Sequence, residues 1–274
     1  MIHAINKYHP IAIYISDDAL DEYAELVLKD TMPDVLKYPQ PLDVERFVEY
    51  YLGMQVDFRQ LSKDRKILGM TAFNTGYMQI ISEETGEPEP MPVTAGTVVI
   101  DPILTKKRNI PRFRFTTMHE GSHWLIHRKA FAEGNPMGNV GKFENQFLAA
   151  KEGRIDYCRD HRERTDIDRI ERQADFLSSA SLMPKTTLRM AYRDFFKRHG
   201  EKPRAVIIGK SPFDDFAFVQ LPVYMANQYN VSKQAAFIRL EKLRAIVERP
   251  SMWDFCNRKP ISITYCSLIS ELWQ

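Results

Sequence analysis

Two histidines four residues apart flank a glutamate in the run His119-Glu120-Gly121-Ser122-His123. On a helix, residues i and i+4 project from one face, so a single turn aims both imidazoles at one point where an ion can sit. Glu120 stands beside them, placed to take a proton from a water whose pKa zinc lowers from about 15.7 toward about 7. The pattern is short and has two wildcards, so context must decide its meaning. A catalytic zinc takes three protein ligands and keeps a fourth position for water, which calls for one more donor. Glu171, in the run Glu171-Arg172-Gln173-Ala174-Asp175-Phe176, completes the set if the intervening chain loops out and a separate helix returns. Asp175, one turn further on the same face, is placed behind the metal, where it accepts the free ring N–H of a ligand histidine.

Other readings compete at these positions. Glu171 and Asp175 on an arginine-rich helix also suit a solvated face paired to Arg169 or Arg172. His127 lies one turn beyond His123, and three side chains stacked along one helix do not converge on a tetrahedral ion, so it is assigned to packing or a substrate contact. Cys158 and His161, in an irregular segment, are the rival ligands. Tyr157 and His161 are the candidates for stabilising a developing oxyanion.

The elements that must position these groups are legible in outline. Pro111 precedes a helical pattern to about Arg128, which Arg112 to Thr117 enter from a strand-like segment, and Trp124, Leu125 and Ile126 give it an apolar face to bury. A second helix runs from about Thr165 to Leu182 and stops at Pro184. Between them, Lys129 to Asp168 reads as a mobile excursion over the surface. Upstream, Ser16 caps a helix through Asp30 and Asp43 caps another through Leu52. Short β-type runs follow at 55–61, 66–73, 77–82 and 97–101, with a hairpin turn at Asn74-Thr75-Gly76 and an exposed proline-rich loop over 83–92. Near the other end Pro222 opens a short helix, Asn230 breaks it, and Ser232 caps a helix to about Val247.

The run from Arg112 to Trp124 resembles the RFTxxHExxHxxLH signature of the ImmA/IrrE family of metallo-endopeptidases. The block Glu171 to Phe176 continuing through Leu182-Met183-Pro184 resembles that family's ExxAxxFAxxLLMP block. With Gly69 to Phe73 and the strand ending Ile100-Asp101, the similarity spans roughly residues 40 to 190. It implies that His119, His123 and Glu171 hold Zn2+ and that Glu120 is the catalytic base. Ser122 stands where the family commonly has glycine, and Ser178 and Ser179 where small alanines are usual. The implied fold is α+β, an HExxH zincin-like peptidase core over 1–190, with helices and a small mainly antiparallel sheet. A helical C-terminal part over 191–274 follows. The implied substrate is an intracellular protein, a DNA-binding transcriptional repressor, with Thr97 to Ile100 as the strand edge that aligns an extended peptide.

Composition limits the alternatives. The 274 residues suffice for a substantial core, and a formal charge of +2 with 27% charged residues gives no polyelectrolyte signal. The segment 222–247 is the place for a local basic face, read as a helix-turn-helix with Lys233, Arg239, Lys242 and Arg244 toward phosphates, or as a helical hairpin packed through Ala235, Phe237, Ile238 and Leu243. The competing function is therefore a DNA- or partner-binding regulator in which the metal is structural. Cys158, Cys256 and Cys266 are three and scattered, which reads as reduced thiols in a cytoplasmic protein. No signal-peptide core and no membrane-crossing run is present, so no membrane partner is expected.

Overall fold

The computed structural model describes residues 14–131, 147–151 and 166–247. These residues form an α+β structure with seven α-helices and three small sheets. They divide into two units, Met1–Thr31 with Leu42–Leu182, and Met32–Pro41 with Met183–Gln274. The division is thus not one cut near residue 190. Met32–Pro41 goes with the C-terminal unit, where its 3-10 turn Pro33–Leu36 buries Val35.

In the first unit, helix α1 (Asp17–Thr31) begins after Ser16, whose Oγ accepts from the Ala19 N–H. Asp43 caps α2 (Val44–Arg46), which continues as a π-helix over Phe47–Tyr51. Strands β1 (Gln55–Phe58), β2 (Ile67–Ala72), β3 (Gly76–Ile81), β4 (Pro88–Val93) and β5 (Thr97–Ile100) follow. Helix α3 (Ile110–Phe131) carries the histidines, and its residues 112–117 are already helical rather than strand-like. Strand β6 (Phe147–Lys151) and helix α4 (Asp166–Leu182) complete the unit.

The main sheet has the order β1-β5-β2-β6. It is mixed, with antiparallel pairing in the majority: β1 runs parallel to β5, while β2 is antiparallel to both β5 and β6. Strand β5 is therefore interior. Thr97, Val98, Val99 and Ile100 are all buried, and the strand is paired with β1 along its length and with β2 over 98–100, so it offers no edge to a peptide.

The β3–β4 hairpin corrects two further expectations. Asn74 to Gly76 do not close a β2–β3 hairpin, since β2 already pairs on both sides and the Asn74 amide donates to the Phe131 carbonyl, tying the turn to α3. The proline-rich segment is a strand over its second half. Pro88, Pro90 and Pro92 alternate, so all three occupy one class of position in the antiparallel ladder against β3. The N–H groups of Glu89, Met91 and Val93 serve the other class, and alternation at that spacing is compatible with a strand on an outer edge.

Apolar faces hold the two central helices. Leu20 and Ala24 of α1 pack with Phe176, Leu177 and Ala180 of α4, and Leu125 and Ile126 of α3 join them. Phe73, Phe131 and Ile170 form a second cluster, against which Trp124 packs. Where α3 passes the π-helix, Gly121 allows a close approach: a Cβ there would lie 3.1 Å from a Val48 methyl and 3.2 Å from a Leu52 methyl, so those side chains would have to shift slightly.

The second unit contains α5 (Lys185–Arg198), β7 (Val206–Ile207), α6 (Pro212–Tyr229), α7 (Lys233–Lys242) and β8 (Ile246–Val247), with β7 parallel to β8. Pro222 lies inside α6 rather than at its start, because Ser211 caps the helix and Pro212 is its first residue. Asn230, at φ 50°, ends α6, and Ser232 caps α7. Helix α7 stops at Lys242, well short of Val247, because Arg244 takes a positive φ and the chain enters β8. Ala235 is buried, and so is Arg239, whose Nε donates to the Met183 carbonyl; Arg239 is therefore not a phosphate contact. Among the described residues no helix is long and apolar enough to cross a membrane.

Candidate metal centre

Every residue from Thr116 to His123 is buried, an unusual run for a polar helix segment. It is accommodated because α3 is covered on several sides, by α4, by β2 and by the π-helix. Buried polar groups need partners, and α4 supplies most of them.

His119 and His123 bring their Nε2 atoms to 2.9 Å from each other. Glu171 Oε2 lies 3.3 Å from His119 Nε2 and 3.7 Å from His123 Nε2. Three buried donors on two helices thus face one point, and among the described residues this is the group of His, Cys, Asp and Glu able to hold a metal ion. Metal bonds of 2.0 to 2.1 Å in a tetrahedron separate ligand atoms by about 3.3 Å. The three observed separations bracket that value, so the residues fit a cation. The solvated-face reading fails for α4: Glu171 and Asp175 are buried, while Arg169 pairs with Asp166 and Arg172 with Asp17.

The outer nitrogens of both histidines are also engaged. His119 Nδ1 is 2.8 Å from Asp175 Oδ1. His123 Nδ1 is 3.0 Å from His127 Nδ1, and His127 Nε2 is 3.0 Å from Gln173 Oε1. His127 is therefore more than packing, and it lies behind His123 rather than toward a substrate. Sequence reasoning passed over Gln173; its only sequence signal is its place between Glu171 and Asp175.

Glu120 belongs to a different set of contacts. Its Oε2 accepts from the Thr71 hydroxyl at 2.6 Å, and the carboxylate lies along β2 where Gly69 leaves room. A Cβ on Gly69 would come within 2.9 Å of Glu120 Oε1 and 2.6 Å of Thr116 Cγ2. Gly69 and Thr71 are two apart on one strand and so share a face. Ser122 and Ser178 meet across the helices at 3.1 Å.

The titration behaviour follows from burial and neighbours. Burial disfavours a charged His119, but the Asp175 and Glu171 carboxylates outweigh it and raise the pKa to about 10. Burial, then the charge of His119, lowers His123 to about 3, against the pull of Glu171. Burial lowers His127 to about 4. For Glu171, burial opposes ionisation, yet hydrogen bonds from His119 and His123 hold its carboxyl well below the usual range. Tyr157, Cys158 and His161 lie outside the described residues. No protein-family model matches this chain, and no curated protein matches it.

Proposed function

We propose that the chain is a zinc-dependent endopeptidase of the ImmA/IrrE kind, cutting a peptide bond in an intracellular protein. The resemblance in sequence implies a DNA-binding transcriptional repressor as the substrate. One juxtaposition carries this reading: three buried acceptors from two helices converge on a point, and Glu120, next to His119 on the same helix, is a further buried carboxylate that accepts from a hydroxyl donor on β2. Two imidazoles and one carboxylate suit zinc, and an ordinary structural site would use four protein ligands.

In this reading His119, His123 and Glu171 hold the ion. Zinc bound there supplies Lewis acidity, polarising the scissile carbonyl and acidifying water near neutral pH. Glu120 would take the water proton and pass it to the leaving amine. Thr71 steadies that carboxylate through Oε2, and Gly69 gives it space.

The test compares wild type with Glu120→Gln, which keeps size and removes the base. Both proteins should bind about one zinc per chain, and the variant should lose cleavage of a repressor encoded alongside it by roughly 10²- to 10⁴-fold. Chelation should abolish wild-type cleavage and added zinc restore it. If zinc-loaded wild type cuts nothing that the variant does not also cut, the site is structural and the regulator reading stands instead.

A further inference from the structure

The two ring nitrogens of His123 face different surroundings. Nε2 looks toward His119 and Glu171, whereas Nδ1 faces His127 Nδ1 at 3.0 Å. Two imidazole nitrogens make such a hydrogen bond only when one carries hydrogen and the other does not. The next link decides which. His127 Nε2 lies 3.0 Å from Gln173 Oε1, and an amide carbonyl oxygen only accepts. His127 therefore carries its hydrogen on Nε2 and presents a lone pair at Nδ1. His123 must then donate through Nδ1, which leaves its Nε2 a bare lone pair aimed at the point shared with His119 and Glu171. With the Gln173 amide turned round, every hydrogen would move one place along the chain, and Nε2 of His123 would carry one.

We propose that Gln173 and His127 are positioning residues that fix the tautomer and ring orientation of His123, a neutral counterpart of Asp175 behind His119. This rests on the reading of His119, His123 and Glu171 as metal ligands. All of Gln173, His127 and His123 are buried, so no water competes for the chain of bonds.

Two measurements on the full chain test it. In nitrogen-15 NMR spectra of wild type near neutral pH, His123 should be the Nδ1–H tautomer and His127 the Nε2–H tautomer; the reverse assignment overturns the inference without any substitution. Zn2+ affinity is then read by competition with a chelator. Gln173→Met keeps the length of the side chain and removes the acceptor, and should weaken Zn2+ binding by roughly 10- to 100-fold, as losses of such outer partners do. Gln173→Glu, an acceptor that cannot donate, should restore affinity close to wild type. Wild-type affinity in Gln173→Met, or no rescue by Gln173→Glu in a folded protein, overturns it. His123→Ala separates the two levels: if it binds Zn2+ as tightly as wild type, the ligand reading itself fails, whereas weak binding there with unchanged Gln173→Met rejects only the positioning role.

Discussion

The first unit buries Glu171 between two histidines; the second buries Asp214 beside an arginine, and the two carboxylates are solved differently. Asp214 Oδ1 accepts from Arg204 at 2.7 Å and from the Ile207 N–H at 3.0 Å, and Oδ2 accepts from Ser211. Donors and acceptors match, and the result ties β7 to the first turn of α6. Around Glu171 the inner atoms of His119, His123 and Glu171 are acceptors facing acceptors, while the outer ring nitrogens are already spoken for by Asp175 and His127. Such a triangle needs a cation. A proton serves in protein stripped of metal, which is why the His119 pKa is raised to about 10 by its carboxylate neighbours despite burial. A buried polar cluster that closes on itself is scaffold; one whose lone pairs converge is a candidate binding site.

Removing Glu171 gives the largest contrast. Glu171→Ala should weaken Zn2+ binding by more than about 100-fold, since outer partners alone are worth roughly 10- to 100-fold, and should cost less unfolding free energy in stripped protein than the loss of Asp214. Near-normal zinc content in purified Glu171→Ala would erase the distinction. Asp175→Ala comes next, with Zn2+ affinity lower by roughly 10- to 100-fold and the fold intact by circular dichroism. On the scaffold side, Asp214→Ala should destabilise the second unit by about 1 to 3 kcal/mol, because Ile207 and Ser211 lose their acceptor, and should leave Zn2+ affinity unchanged. Urea unfolding and chelator competition read the two effects separately.

The smallest effect is in pH dependence. In stripped protein, His119 has a folded pKa raised above the unfolded value near 6.5, so its contribution is full below 6.5 and lost as pH rises through about 10. His123 and His127 have folded values lowered to about 3 and 4, so theirs is present above 6.5 and lost as pH falls toward those values. Asp214 is also lowered: burial opposes its charge, but Ser211, Ile207 and Arg204 prevail, so its contribution fades only below the ordinary carboxylate range. Amide resonances of α3 and α4 should therefore broaden or vanish at a higher pH during acidification than those of α6. Calorimetry in buffers of different ionisation heat should show about one proton released per zinc bound at pH 8, from His119.

Much of the candidate site's geometry was legible because it is local. The i,i+4 spacing of His119 and His123, and of Glu171 and Asp175, is a property of a helix and needs no knowledge of the rest of the chain. What lay hidden depends on pairing between distant segments. That Thr71 and Gly69 sit under Glu120 follows from which strand lies against α3, and no periodicity in Ile67–Ala72 says so. The interior position of β5 likewise depends on β1 and β6 flanking β5 and β2. Within helices, Pro222 misled because a proline is also tolerated inside a long helix such as α6, and Arg239 because a cation on a short amphipathic helix can turn inward to cap a carbonyl.

The alternating prolines of β4 have a bearing on how copies of this chain meet one another. A hairpin with an open side is a template on which a strand from another molecule can grow, and growth requires donors as well as acceptors along that side. At Pro88, Pro90 and Pro92 the outward positions have carbonyl groups but no N–H, so an incoming strand finds half of each rung missing. Replacing these three by valine would keep the pairing with β3 and supply the missing donors, turning a self-limiting edge into a seed for aggregation.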